Sequence, residues 1–534
     1  MKTFFISVFF FFLSSFTTAN IIYVDDSNTT GIENGTLQYP FNTVTEGIDA
    51  AIAGDTVYIF AGNYNEGGNL YLKDGLVITG EDSSLVYLAN GFTNVEASMN
   101  HYTEISNIKF SGLFLGNGDG IATIVIRRCN FQGASFFSAS GYTFIIENST
   151  IDAGIVNASG VCYYSYKSNF IVNGIIDDRA NAPPAIEAHI VENNIIYNAG
   201  FNDPLEAVIR ASSESITIIN NQIFCNGVGS GIKVSSGTPT NIIGNEITLN
   251  NGIPLNGTAG IEISSGEGIV TDNTITGGWV GYHSHLSYTI LFENNTITKS
   301  HIGFIGSGGG EEVKNNTITN CSGDGMIMNG LRGPISRNVV KDNDGAGIRV
   351  IRNVDIGGGD LNGEGNNIIR NNGFYDLVIN FQPLQPETLY VMNNGWDHIT
   401  LPEILQYDIF NEGGSTNIII NATGFYTDVE EQDNLPTDFK LEQNYPNPFN
   451  PSTKIRYSIP RSTEYYSVPL TVTLKVYDVL GNEVVTLVDE YKPAGSYTVD
   501  FSISSINHHT SSGVYFYQLK AGNYIETKKM IYLK

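Results

Sequence analysis

An asparagine recurs along the middle of the chain at a nearly fixed interval, in a frame that reads apolar-x-x-Asn-x-Ile. The frame shows at Ile219–Ile223, Ile243–Ile247, Thr271–Ile275, Phe292–Ile297 and Val313–Ile318. Aligned on it, the asparagines fall at Asn107, Asn130, Asn148, Asn173, Asn194, Asn221, Asn245, Asn273, Asn295, Asn316, Asn338, Asn372 and Asn394. Eight of the twelve intervals lie between 21 and 25 residues, and the longest holds the glycine-rich stretch 357–365, an inserted loop. Helical repeats need about 33 residues or more, and the Leu-x-x-Leu-x-Leu frame of leucine-rich repeats is missing. What remains is an all-β chain wound as a right-handed parallel β-helix with coils of about 22 residues. Asparagine suits such a coil twice over. It tolerates a left-handed backbone bend between strands. Its amide can also donate to and accept from the asparagine one coil away, about 4.8 Å along the axis. Cys129, Cys162, Cys225 and Cys321 are expected as small core or turn residues, with no Cys-x-x-Cys pair among them.

The two ends differ from this middle. Residues 1–19 hold Lys2, an apolar run and then Thr17-Thr18-Ala19, the pattern of a cleaved secretory signal. Thr43–Ile52 carries Val44, Ile48, Ala51 and Ile52 at helical spacing between the strand-like Ile22–Asp25 and Asp55–Ile59, which predicts an amino-terminal cap. The acidic stretch 429–439 reads as a linker. Beyond it, 440–534 alternates polar and apolar residues over Lys454–Ile459, Thr471–Tyr477, Tyr497–Ile503 and Val514–Leu519, as a small Ig-like β-sandwich would. The boundaries expected are therefore signal 1–19, β-helix with cap 20–428, linker 429–439 and sandwich 440–534. The net charge of −27 argues against a nucleic-acid partner, because phosphate binding needs a basic face.

Residues 440–534 resemble the type A C-terminal sorting domain of the type IX secretion system. The resemblance rests on Tyr445–Thr453, Val476–Gly481, Ser512–Phe516 and the Lys528-Lys529-Met530 ending. It implies a Bacteroidota-like diderm source, contact with the secretion machinery, and release or attachment at the outer-membrane surface. Residues 20–420 resemble pectin-lyase-like β-helix proteins, on the order strand, Pro40-Phe41, short helix, Gly54–Val57, strand, Gly62-x-Tyr64, followed by the asparagine coils.

In the clearer repeats an apolar-x-apolar strand follows each asparagine segment. Alternation turns the middle residue outward. Stacking then aligns Glu187, Arg210, Lys233, Glu262 and His283 in one column, with His285 in its neighbour beside Ser212, Ser235 and Ser264; His189 is placed in that second column too. Lyases of the resembled fold hold Ca²⁺ with carboxylates and abstract a proton with Lys or Arg. By that resemblance Glu187 and Glu262 become calcium ligands, and Lys233 or Arg210 the base. Glu187, Glu262, His283, His285 and Trp279 would line a sugar-binding surface, Trp279 by ring stacking. The same charges on adjacent strands also make an ordinary surface ladder. The residues leave two functions open. One is a secreted protein that binds extracellular polysaccharide, with or without cleavage as a lyase or glycoside hydrolase. The other is a non-catalytic adhesin or structural surface protein. A monomer is expected in either case.

Overall fold

The computed structural model describes residues 19–533 except 68–69, 90, 96–98, 112–113, 116–121, 133–135, 138–142, 153–154, 161–163, 173–174, 181–188, 202–206, 213–214, 236–239, 286–288, 331–332, 353, 359–362, 381–387, 413–416, 421–437, 461–469, 493–494, 504–511 and 523. Residues 1–18 of the expected signal, Cys162, Asn173, Glu187 and most of the expected linker lie outside the described residues.

The chain divides into two units, residues 1–426 and 427–534. Inside the first, strands pair in parallel with the equivalent strand one coil on, about 23 residues away. Three long sheets result among the described residues. The first runs from Ile21–Val24 to Ile335–Ser336 with 14 strands. The second runs from Gly62–Tyr64 to Ile368–Arg370 with 14, and the third from Phe114–Leu115 to Ile409–Asn411 with 13. Inward positions are Ile, Val, Phe and Leu at almost every coil, and they form one continuous core from Val24 to Ile409. The amino-terminal end is closed by the helix Val44–Ala50. Thr43 and Glu46 make a reciprocal capping box there, and Glu66 accepts the Val44 and Thr45 backbone N–H groups at 2.8 and 3.0 Å.

The asparagine ladder is present, but two neighbouring positions divide the work that the sequence assigned to one. Its rungs are Asn169, Asn194, Asn221, Asn245, Asn273, Asn295, Asn316, Asn338, Asn367 and Asn394. Each rung's amide donates to the next rung's Oδ1 at 2.8–3.0 Å. The left-handed bend falls one residue earlier, at positions such as Asn193, Asn220, Asn294, Asn315 and Asn366, with φ near +57° at Asn294. Asn107 and Asn148 therefore belong to the bend. Ser149 takes the rung beside Asn148, its hydroxyl accepting from the Cys129 N–H at 3.2 Å. Asn130 follows its rung position by one residue. The rungs expected at Asn173 and Asn372 are instead Asn169 and Asn367. Asn372 stacks under Asn343 in a shorter second ladder at the next corner. Cys129, Cys225 and Cys321 are buried, as core and turn residues.

In the second unit the sheets are antiparallel. One joins Lys440–Leu441, Ser452–Ile459 and Gly495–Ser502. The other joins Glu483–Lys492, Leu470–Tyr477, Gly513–Ala521 and Tyr524–Tyr532. Their shared core holds Phe449, Tyr457, Leu474 and Tyr517. The Tyr517 hydroxyl donates to the Glu442 carbonyl at 2.7 Å and accepts the Asn444 N–H at 2.8 Å, which ties the opening segment to the sandwich.

Candidate functional site

The third sheet carries the candidate site. Its strands Ala207–Ala211, Gly229–Val234, Thr258–Ile263 and Val280–Ser284 place Arg210, Lys233, Glu262 and His283 directly opposite one another in successive coils. Their neighbours Ile209, Ile232, Val234, Ile261, Ile263 and Tyr282 are fully buried, so alternation leaves these four facing outward. The column then runs through Ile305 and Ile327 to Arg349, whose Nη2 donates to Asp324 at 2.9 Å. Upstream, the residue opposite Arg210 is Asp177, in strand Ile175–Ala180. Glu187 is not that partner and lies outside the described residues. His189 is likewise not in the strip. It sits in the first sheet opposite Ile216, fully buried, and burial pushes its imidazole down to about 4.

Glu262 is the hub. Lys233 Nζ lies 3.2 Å from one carboxylate oxygen and His285 Nε2 3.4 Å from the same atom, while the Ser230 hydroxyl donates to the other at 3.0 Å. Burial alone would raise this carboxyl. Lys233, Ser230 and His285 outweigh it and hold the group below the usual carboxylate range. The Lys233 and Glu262 side chains are only 15% and 17% exposed, whereas His285 is 44% exposed. His283 stacks against His285 with ring centroids 3.9 Å apart. Burial first, then the neighbouring His285, push His283 down to about 4, so it is a neutral imidazole at physiological pH. The result is a row of two cationic donors, one carboxylate acceptor and one neutral imidazole, one coil apart. Ser230 is a member that the sequence reading missed, because its side chain turns into view only once the register is known.

This donor set does not fit a calcium cage. Glu262 faces an ammonium group where the cation would sit, and the strip supplies no second carboxylate beside it among the described residues. Trp279 stands apart from the column, at the corner where the second sheet passes into the third. Its backbone N–H donates to Thr258 Oγ1 at 2.7 Å and its indole lies on the His301 ring at 3.9 Å. Trp396 is buried in the core.

A second cluster was not legible in the sequence. Asp376, Asp397 and Asp408 bring one carboxylate oxygen each within 4.8 Å of one another. Burial, with Asp397 and Asp408 adding to it, pushes Asp376 up to about 8 despite the hydrogen bond from Asn372. Burial also raises Asp408, against the 2.6 Å contact with His398.

Comparison with protein families places these features. Residues 248–423 match the model of a right-handed β-helix region, and residues 443–533 that of a secretion system C-terminal sorting domain. This is a secreted β-helix protein with a type IX sorting tail. The tail marks export through the type IX machinery to the cell surface. No helix among the described residues is long and apolar enough to cross a membrane. Curated protein sequences give no match. Among solved structures, the β-helix protein is similar to the catalytic unit of a thermostable α-1,3-glucanase from Streptomyces thermodiastaticus, at 14% identity and a TM-score of 0.30 over 71% of this chain. The chain spans 64% of the length of that unit. It is also similar to the A-module of a mannuronan C-5 epimerase from Azotobacter vinelandii (14% identity, 71% of this chain and 94% of that one, TM-score 0.28). A rhamnogalacturonan lyase matches at 14% identity, over 58% of this chain and 82% of that one, with a TM-score of 0.23. Likenesses at this level assign no activity to the chain.

Proposed function

We propose that the β-helix protein binds uncharged extracellular polysaccharide along the third-sheet strip, without eliminative cleavage. The observation that carries this reading is the Lys233–Glu262 pair with Ser230 and His285. Its charges offset one another locally, and the row offers hydroxyl-matching donors and acceptors at coil spacing. A polyuronate would meet a chain of net charge −27, whose field opposes a polyanion. The Lys233 ammonium is engaged by Glu262, so the strip presents it as a donor and not as a base. Neutral His283 and half-exposed His285 add ring edges and nitrogens that suit sugar hydroxyls.

Calorimetric titration of the secreted protein with neutral and uronate oligosaccharides tests the reading. Neutral oligosaccharides should bind. Glu262→Gln should weaken them about tenfold, the loss of a hydrogen bond to a charged group worth roughly 1.5 kcal/mol. Absorbance near 235 nm should stay flat with any polyuronate, with or without Ca²⁺. A rise that disappears in Lys233→Ala or Arg210→Ala would replace binding with lyase chemistry.

A further inference from the structure

The second sheet carries a feature that the strip does not use. Three consecutive coils repeat the triad Thr-Ile-Thr, at Thr274–Thr276, Thr296–Thr298 and Thr317–Thr319. The register pairs Thr274 with Thr296 and Thr317, and Thr276 with Thr298 and Thr319, while Thr248 extends the second column by one coil. The central isoleucines are fully buried, whereas Thr274 and Thr296 are exposed and the other threonines half-buried. The outer face is thus a two-column grid of hydroxyl and methyl groups. Its repeat is about 4.8 Å along the helix axis and about 6.6 Å across it.

We propose that this grid is a docking face for a crystalline, uncharged polysaccharide whose chains stack through amide hydrogen bonds, namely poly-N-acetylglucosamine in its chitin lattice. The coil repeat is itself set by amide–carbonyl hydrogen bonds between neighbouring chains. A solid whose stacking translation is set by the same bond stays in phase with every coil. A lattice that differed by about 0.5 Å per step would be about 1.5 Å out over the three steps from Thr248 to Thr319. A soluble single chain would need only one column, whereas two columns in register match a surface that is periodic in two directions.

Charge complementarity points the same way. The outward column of the first sheet alternates Arg127, Glu147, Lys167 and Glu192, joined by ion pairs at 3.3 and 3.2 Å. The threonine triads themselves carry no charge in a chain with 54 acidic residues, and charge enters the two columns at their ends, at Glu246 opposite Thr274 and at Lys341 opposite Thr319. The grid also adjoins the candidate strip. Glu246–Leu249 leads into Thr258–Ile263, which holds Glu262, and Thr274–Thr276 leads into Val280–Ser284, which holds His283. Trp279 and His301 mark the corner between the two faces. A chain peeling from the edge of a bound crystal would pass onto the strip. Only that last step rests on the strip reading; the docking does not.

The test is co-sedimentation of the full-length chain with crystalline chitin, microcrystalline cellulose and ice, beside calorimetry with soluble oligosaccharides. The expected result is retention on crystalline chitin and little on cellulose or ice. The double variant Thr296→Val/Thr317→Val keeps β-branching and shape but removes two hydroxyls, and should weaken retention several-fold with unfolding unchanged. Thr296→Lys/Thr317→Lys should weaken it more than tenfold. Lys233→Ala should leave retention intact while weakening any soluble-sugar binding, which separates failure of this proposal from failure of the strip. Equal retention on cellulose or on ice, wild-type retention by the Val double variant, or loss of retention in Lys233→Ala would each overturn the docking face.

Discussion

Asn294 and Asn295 are adjacent and identical in type, yet the structure gives them unrelated work, and substitution separates them. Asn295 is buried. Its Nδ2 donates to the Val270 carbonyl at 2.8 Å, to the Glu293 carbonyl at 3.0 Å and to Asn316 Oδ1 at 3.0 Å. Its Oδ1 accepts both the backbone N–H and the side-chain amide of Asn273 at 3.0 Å. Asn295→Ala removes all of these contacts and takes the acceptor from the buried Asn273 N–H. The orphaned Asn273 N–H costs about 1–3 kcal/mol and the other four hydrogen bonds about 1 kcal/mol each net, so the variant should lose on the order of 5–7 kcal/mol. Asn294 is exposed, and what it supplies is its φ of +57°. Asn294→Gly should change stability by no more than a few tenths of a kcal/mol, and Asn294→Ala should cost roughly 1–2 kcal/mol through the left-handed bend alone. Urea unfolding followed by circular dichroism measures all three. An Asn295→Ala midpoint close to wild type, or an Asn294→Gly variant as damaged as Asn295→Ala, would show that the buried amide file does not hold the coils together.

Three further outcomes follow from the same geometry. Asp376 is held protonated by burial, with its carboxyl pushed from 3.8 up to about 8. Because the folded value is the higher one, its contribution is fully present below pH 3.8, declines as pH rises and is lost by about pH 8. Asp376→Asn should therefore stabilise the chain at pH 8, by an amount that fades towards pH 4 in urea midpoints. Destabilisation at pH 8 would mean instead that the three carboxylates hold a cation. At the corner between the second and third sheets, a Cβ on Gly303 would lie 2.3 Å from Ile318 Cγ2 and 2.5 Å from the Gly325 carbonyl, so Gly303→Ala should cost roughly 1–3 kcal/mol of overpacking in thermal unfolding. Removing Ser230's hydroxyl from Glu262 with Ser230→Ala should raise the Glu262 carboxyl, seen as a shift of its side-chain carbon titration to higher pH.

What the sequence disclosed and what it hid divide along a physical line. From Asn169 to Asn394 the rung asparagine is identical at every coil because each amide bonds its own kind, so the period survives drift in everything around it. That made the wound fold legible, and with it the alternation that turns Lys233, Glu262 and His283 outward together. The phase was less secure. Bend and rung are adjacent, and both favour asparagine, so Asn107 and Asn148 passed for rungs, and a shift of a few residues put Asn173 in place of Asn169. The same uncertainty broke the strip at its upstream end. The sequence placed Glu187 next in the column, whereas the register opposite Arg210 falls on Asp177 in Ile175–Ala180. Asp376, Asp397 and Asp408 were hidden for a different reason. They meet by stacking and by the fold of the segment 397–408, and no spacing in a single sequence announces such a meeting. The threonine triads were visible throughout, but as markers of strands. Because threonine is favoured on any outward strand face, only their pairing across three coils turns them from a propensity into a lattice. That is why the Thr→Val exchange, which keeps the propensity and removes the hydroxyl, is the substitution that can tell the two apart.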